Sequence, residues 1–303
     1  MKSSVCTLAH GRDKHLENLV LGLRQSKRPP GELVIGVMQD RRYDLPETSF
    51  PIRQIVLGNK GIPLAAARNA AADTARGEVL VFLDVDCIPH PELLGDYLDH
   101  AESRNGVLMG EVGYLPRGAA ANGPDYAKFE RVAVRHSERA GPPLETARRC
   151  GDYRCFWSLN FAISARDFEA SGGFDDSFDG YGGEDTDFGR TCATNDVPIW
   201  WVRGARAYHQ YHPHYMPPVH HLDSVLANAT RFAEKWGEPT MQHWLRAFTL
   251  MGLIERNPTG WTKLREPDET DFALTRQQED RPYASSALVL ERLEAEAAKR
   301  AAA

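Results

Sequence analysis

Glu78-Val79-Leu80-Val81-Phe82-Leu83-Asp84-Val85-Asp86 is the stretch that decides the fold. Val79 to Leu83 is apolar without interruption, the pattern of a central strand covered on both faces rather than one facing water. The run ends abruptly in two carboxylates separated by one residue. In open α/β sheets ligands bind beyond the carboxyl ends of the strands, so Asp84 and Asp86 stand where chemistry is expected.

Upstream, Ser4-Val5-Cys6-Thr7-Leu8-Ala9 reads as a first strand, followed by Leu16, Leu19, Val20 and Leu23 at helical spacing up to Pro29-Pro30-Gly31. Leu33 to Met38 reads as a second strand stopping at Gln39-Asp40, and Ile52 to Leu57 as a third. Gly61-Ile62-Pro63-Leu64 then feeds an Ala-rich helix over Ala65 to Ala75, closed by Gly77. Downstream, Gly106 to Leu115, Phe161 to Ser164 and Ile199 to Val202 read as strands, and Arg117 to Gly123 as a Gly/Ala loop. Leu222, Val225, Ala229, Phe232, Ala233 and Trp236 restore helical spacing, with Gly237 as the stop. Glu255 to Pro282 is polar and reads as a long connection or adaptable surface segment. Ser286 to Ala303 reads as a helix that docks through Leu290, Leu293 and Ala297. Alternating strands and helices predict an α/β fold with a mostly parallel sheet flanked by helices, and no repeat of fixed period interrupts it.

The 303 residues carry 36 basic and 42 acidic side chains, a formal net charge of −6 that argues against a nucleic-acid scaffold. The chain has no apolar run of membrane-spanning length and no charged-then-apolar leader, so neither a transmembrane segment nor classical secretion is expected. Five cysteines, an odd number in a long chain, fit a reducing compartment, and the cytoplasm is the expected location. Arg131, Arg135, Arg139, Arg148 and Arg149 read first as a solvated helix face, with an anionic acceptor or peripheral contact with membrane headgroups as the other readings.

Two close carboxylates at the end of a buried strand repel one another unless a cation neutralises them. Their hard oxygens suit Mg²⁺ or Mn²⁺, ions that commonly bridge two phosphates of a nucleotide. The competing reading makes Asp84 and Asp86 a turn cap before Pro89. A second constellation is Phe178-Asp179-Gly180-Tyr181-Gly182-Gly183-Glu184-Asp185-Thr186-Asp187-Phe188-Gly189-Arg190. Its glycines allow close approach to a ligand, and Glu184-Asp185 falls where a helix can begin, placing a carboxylate suited to act as a base. A glycine turn before an acidic first helical turn explains it equally well.

Taken together, Thr7-Leu8-Ala9-His10, Asp40, Gly61 to Asn69, Phe82 to Asp86, Gly172-Gly173-Phe174-Asp175 and Gly182 to Asp185 resemble a GT-A glycosyltransferase. The similarity is to family 2 enzymes and to the β-1,4-galactosyltransferase and chondroitin-polymerase type, over residues 3 to 215. The resemblance implies a Rossmann-like GT-A catalytic domain over residues 1–220, with residues 221–303 a helical extension. It implies transfer of a sugar from a nucleotide-sugar donor, UDP-linked by preference, to the hydroxyl of a carbohydrate or other acceptor, with inversion. Thr7, Ala9, Arg12, Asp40, Gly61, Arg68 and Asp84 would then bind the donor. Asp86 and Asp84 would hold Mn²⁺ (or Mg²⁺), with His209 as a further ligand and His212 as its alternative. Asp185 would be the general base and Glu184 would orient the acceptor or loop. Trp157, Tyr181 and Gly183 would form the acceptor side, Tyr181 standing where many relatives have Trp. Two other functions compete: a sugar nucleotidyltransferase, and a non-catalytic sugar- or nucleotide-binding module on the same fold.

Overall fold

The computed structural model describes residues 1–58, 61–258, 260–277 and 281–302. The chain divides into two compact units, one comprising Met1–Asp179 and Glu184–Tyr211, the other Gly180–Gly183 and the chain from His212 onward.

In the first unit the chain runs β1 (Ser3–Ala9), α1 (Asp13–Arg24), β2 (Glu32–Val37), β3 (Ile52–Val56), α2 (Leu64–Thr74) and β4 (Val79–Leu83). It continues with β5 (Cys87–Pro89), α3 (Leu93–Ala101), β6 (Val107–Met109), β7 (Val112–Tyr114), α4 (Tyr126–Val132), β8 (Ala147–Arg149) and β9 (Asn160–Ser164). α5 (Ala165–Ser171), α6 (Glu184–Thr194), β10 (Ile199–Val202) and β11 (Ala207–His209) complete it. Eight strands form the main sheet in the order β3-β2-β1-β4-β9-β6-β10-β8. β1 pairs in parallel with both β2 and β4, so that Cys6 lies opposite Val34 on one side and Phe82 on the other.

β4 is covered on both faces, as its uninterrupted apolar run predicts. Val79, Val81 and Leu83 join Leu16, Leu19, Leu94 and Tyr97 of α1 and α3 on one face. Leu80 and Phe82 join Ala71 of α2, Phe168 of α5 and Phe188 of α6 on the other. The end of β4 is thus held rigidly between two helical layers. β9 enters antiparallel with Asn160 opposite Leu83, which brings the residues just before it, Trp157 to Leu159, alongside Asp84.

Three sequence expectations are corrected. Gly106 to Leu115 is not one strand: β6 belongs to the main sheet, and β7 joins a small β5-β11-β7 sheet. The break falls at Gly110, where a Cβ would lie 2.2 Å from the Ala205 carbonyl oxygen and 2.5 Å from the Tyr97 hydroxyl. Gly77 does not close α2, which ends on an extended Ala75 at φ −66° and ψ 149°. Gly77 is there because a Cβ would come within 2.5 Å of the Ser4 nitrogen.

The third correction lies in the second unit, where Glu255 to Pro282 is not a bare connection. After α7 (Leu222–Trp236) and α8 (Gln242–Leu250) come an antiparallel pair β12 (Ile254–Asn257) and β13 (Gly260–Lys263), then α9 (Glu269–Thr275) and α10 (Ser286–Ala302). Asp268 and Asp271 form a reciprocal capping box that starts α9. α7 ends, as read, on Gly237 in the left-handed region. α10 packs on α8 and buries Leu293. Among the described residues no helix is long and apolar enough to cross a membrane.

Gly36 of β2 makes the closest approach between sheet and α2: a Cβ there would stand 2.5 Å from the Ala67 carbonyl oxygen. Backbone on both sides leaves no flexible atom to yield, so Gly36→Ala is expected to cost about 1–3 kcal/mol, as overpacking does. Urea unfolding monitored by circular dichroism measures it; an unchanged midpoint would show that α2 is not seated on β2 as described.

Candidate functional site

The site grows from the end of β4 and the start of α6. Arg68 rises from α2, its side chain enclosed at 4% exposure. Its Nη2 lies 3.2 Å from Asp84 Oδ1, while Nη1 lies 3.3 Å from Glu184 Oε1 and 3.8 Å from Asp185 Oδ1. One guanidinium therefore ties the strand carrying Asp84 to the helix carrying Glu184 and Asp185. The resemblance implies that Arg68 binds the donor; in the structure its guanidinium faces three carboxylates.

Those carboxylates outnumber the cation, and their acidities respond. Burial pushes Glu184 up to about 7, reinforced by the neighbouring Asp185 charge and opposed by Arg68. Burial likewise raises Asp84 to about 6, with Arg68 pulling it down and Asp86 and Asp185 pushing it up. Asp185 is held differently. The Ser158 backbone N–H donates to its Oδ2 at 3.1 Å, leaving Oδ1 without a hydrogen bond among the described residues.

Asp86 anchors the second group. Arg12, in the left-handed region at the head of α1 with φ 53°, reaches its Oδ2 at 2.5 Å. His209 Nε2 lies 3.4 Å from its Oδ1. Strand pairing explains the meeting: β11 pairs with β5 so that His209 faces Cys87, the residue after Asp86, and with β7 so that His209 faces Tyr114. The His209 ring stacks on Tyr114 at 4.7 Å. Gln210 fixes the turn that follows, its N–H donating to the Asp86 carbonyl at 2.7 Å and its side chain accepting from Asn18 Nδ2 at 2.7 Å.

The remaining sequence candidates fall elsewhere. Thr7 and Ala9 are buried within β1. Asp40 is exposed beyond β2, with no hydrogen bond or ion pair to either acidic group. Gly61, at φ 75°, turns the chain where a Cβ would be 3.6 Å from the Asp179 carboxylate. Trp157 is half-buried against His136, ring centroids 5.2 Å apart, and beneath the Arg139 guanidinium. Tyr181 and Gly183 belong to the second unit, as does His212. There Tyr181 stacks on His221 at 4.8 Å and on Trp244 at 6.0 Å. Gly182 and Gly183, at φ 92° and 93°, hold conformations that favour glycine.

Sequence reasoning did not find Tyr114, whose place under His209 comes from β7, a strand read as part of a longer one. Nor did it assign Ser158 a role, because a backbone N–H leaves no mark in side-chain identity.

Residues 42–162 match the glycosyl transferase family 2 model, and residues 144–213 match the model described as the N-terminal domain of galactosyltransferase. The chain is 26% identical over 256 residues to a validoxylamine A glucosyltransferase of Streptomyces hygroscopicus subsp. limoneus, covering 77% of this chain and 56% of that protein. It is 25% identical over 189 residues to a chondroitin synthase of Pasteurella multocida (strain Pm70), covering 55% of this chain and 20% of that one. The chain thus spans about half the length of the glucosyltransferase it matches, and less of the synthase. Among solved structures, GalNAc-T7 with UDP, GalNAc and Mn²⁺ superposes with a TM-score of 0.55 at 16% identity, covering 82% of this chain and 51% of that one. Staphylococcus aureus TarS 1-349 superposes with a TM-score of 0.50 at 16% identity, covering 81% of this chain and 69% of that one. By these matches the chain is similar to family 2 glycosyltransferases over residues 42–162, and it shares the GT-A fold of the superposed structures.

Glu184 yields a test of the acid cluster. Its pKa in the folded state lies at about 7, above the roughly 4.3 of a free glutamate, so the folded chain holds its proton over that window and the unfolded chain does not. Its contribution to stability is therefore lost as pH rises from about 4.5 to 7. Glu184→Gln is expected to flatten that decline and to be relatively more stable at pH 8 than at pH 5. Urea unfolding of both proteins at the two pH values measures it; parallel pH profiles would contradict the assignment.

Proposed function

We propose that the protein transfers a sugar from a UDP-linked donor to a hydroxyl of a carbohydrate acceptor by a single inverting displacement, with a divalent cation on the donor side. The observation that carries this reading is the convergence of Asp86 and His209 at the end of β4, beside the Arg68 cluster that holds Asp185, in a chain similar to family 2 glycosyltransferases. The catalytic domain proposed for this activity covers residues 1–220.

The cation was tested against the donors present. A carboxylate oxygen and an imidazole nitrogen both suit Mn²⁺. Neighbouring donors on an octahedral ion with bonds of about 2.1 Å stand about 3 Å apart, close to the 3.4 Å between Asp86 Oδ1 and His209 Nε2. The residues fit. Asp86 and His209 would hold Mn²⁺ or Mg²⁺, Asp84 would lie on the donor side of it, and His212 remains the alternative histidine. The match to a structure containing UDP and Mn²⁺ supports the same choice. Bound there, the ion would offset the charge that accumulates on a departing nucleoside diphosphate.

The chain's own groups do the rest. The Asp185 carboxylate takes the acceptor proton as the hydroxyl attacks the anomeric carbon, while the Ser158 N–H fixes the orientation of that carboxylate. Glu184, pushed toward neutrality and locked to Arg68, positions that turn and does not compete as a base. Arg12 steadies Asp86 from the opposite oxygen. Trp157 offers a flat apolar face to a sugar ring. Tyr181 and Gly183 are proposed to complete acceptor recognition, and Thr7, Ala9, Asp40 and Gly61 to shape the nucleotide end.

Asp185→Asn is expected to lower transfer by about 10²- to 10⁴-fold, the range for loss of a general base. UDP binding should survive, because the base interacts only with the acceptor. Asp86→Ala should instead weaken metal-dependent UDP binding itself. Steady-state transfer from a panel of UDP-sugars, with calorimetric titration of UDP and Mn²⁺, separates the two. Full transfer by Asp185→Asn would remove it from the base role.

A further inference from the structure

Arg139 was read in sequence as one of several arginines on a solvated face, and the structure reverses that reading. The residue is 5% exposed, between α4 and β8. Its guanidinium lies over two indoles, with Cζ 5.6 Å from the Trp157 ring centre and 5.1 Å from that of Trp201. Nη2 donates to the Gly110 carbonyl at 3.3 Å, while Nη1 is buried with no hydrogen-bond partner among the described residues. No carboxylate of the described residues lies within ion-pair distance of it.

This is an unusual charge. Buried arginines are normally paired, because desolvating a guanidinium is repaid only by a counter-charge with good geometry. Aromatic faces offset part of that cost through cation–π attraction, but they leave the in-plane N–H groups unsatisfied. Burial accordingly lowers the pKa of Arg139, opposed by neighbouring tyrosines and cysteines rather than by a carboxylate. The contrast with Arg68, equally buried but facing three carboxylates, is direct. One of the two indoles belongs to Trp157, the residue next to the Ser158 whose N–H orients Asp185.

We propose that Arg139 receives a carboxylate of the substrate, so that the enzyme acts on an acidic, uronate-type sugar. A planar carboxylate fits the edge of a guanidinium whose Nη1 has no hydrogen-bond partner among the described residues. The inference rests on the reading of this site as a glycosyltransferase centre with Trp157 on the sugar side. The same group could arrive on the acceptor or on the sugar of the donor, and the experiment has an arm for each.

The full chain is used with Mn²⁺. In the acceptor arm, methyl β-D-glucuronide is titrated against methyl β-D-glucoside in the presence of UDP. In the donor arm, UDP-glucuronate is titrated against UDP-glucose. Binding is read from the emission of the flanking tryptophans and from the rise in unfolding temperature. The uronate of one pair is expected to bind at least about ten-fold tighter than its neutral partner, a preference that Arg139→Met abolishes. Without ligand, Arg139→Met, which keeps a long apolar chain against the indoles, should unfold at or above the wild-type temperature. Equal affinities within both pairs, a preference that survives in Arg139→Met, or a clear drop in that variant's unfolding temperature would each overturn the proposal; the last would make Arg139 a structural strut. Failure of UDP and Mn²⁺ to bind the wild-type chain would count against the donor-site reading instead, and the unfolding comparison would still decide on Arg139.

Discussion

A single buried cation, the Arg68 guanidinium, sets the geometry on which the rest of the site depends. It joins α2 to the end of β4 through Asp84 and to the head of α6 through Glu184 and Asp185. Without it, three acidic groups would converge in a poorly solvated space, and their mutual repulsion would drive the strand end and the helix apart or force them neutral. With it, two keep a raised pKa but stay in place. The rigid frame behind this contact is equally specific. β4 is clamped by packing on both faces, and α2 reaches the sheet only because Gly36 has no side chain.

Asp86 belongs to a neighbouring but separate arrangement. Arg12 and His209 approach its two oxygens from opposite ends of the chain, one from the turn after β1 and the other from β11. Two carboxylates one residue apart thus take different partners: Asp84 faces the arginine that organises the base, and Asp86 faces a histidine suited to a cation. The division follows from the turn after β4, where the Cys87 N–H donates to the Asp84 carbonyl at 2.8 Å.

Much of this was legible in the chain. The unbroken apolar run of β4, the helical spacing of Leu16, Leu19, Val20 and Leu23, and the helix start at Glu184 are local signals, and the structure follows them. Non-local geometry was not legible. Arg68 lies 116 residues from Glu184, and nothing in an Ala-rich helix reveals that its one arginine points inward. Arg139 sits among other arginines, so its sequence context suggests solvent, whereas two tryptophans 62 residues or fewer away lie against it. The split at Gly110 depends on backbone and side-chain neighbours from Ala205 and Tyr97. In the second unit the polar composition of Glu255 to Pro282 hid a strand pair and a helix, although the Asp268 and Asp271 capping box was there to be read.

In the proposed function the nucleotide's diphosphate and His209 meet on one cation held by Asp86. Pulsed electron paramagnetic resonance of Mn²⁺ bound to the full chain with UDP addresses it most directly. Coupling of the same ion to ³¹P of the diphosphate and to ¹⁴N of one imidazole is expected, the nitrogen signal disappearing in His209→Ala while the protein stays folded. Phosphorus coupling without nitrogen, or nitrogen coupling that persists in His209→Ala, would contradict it.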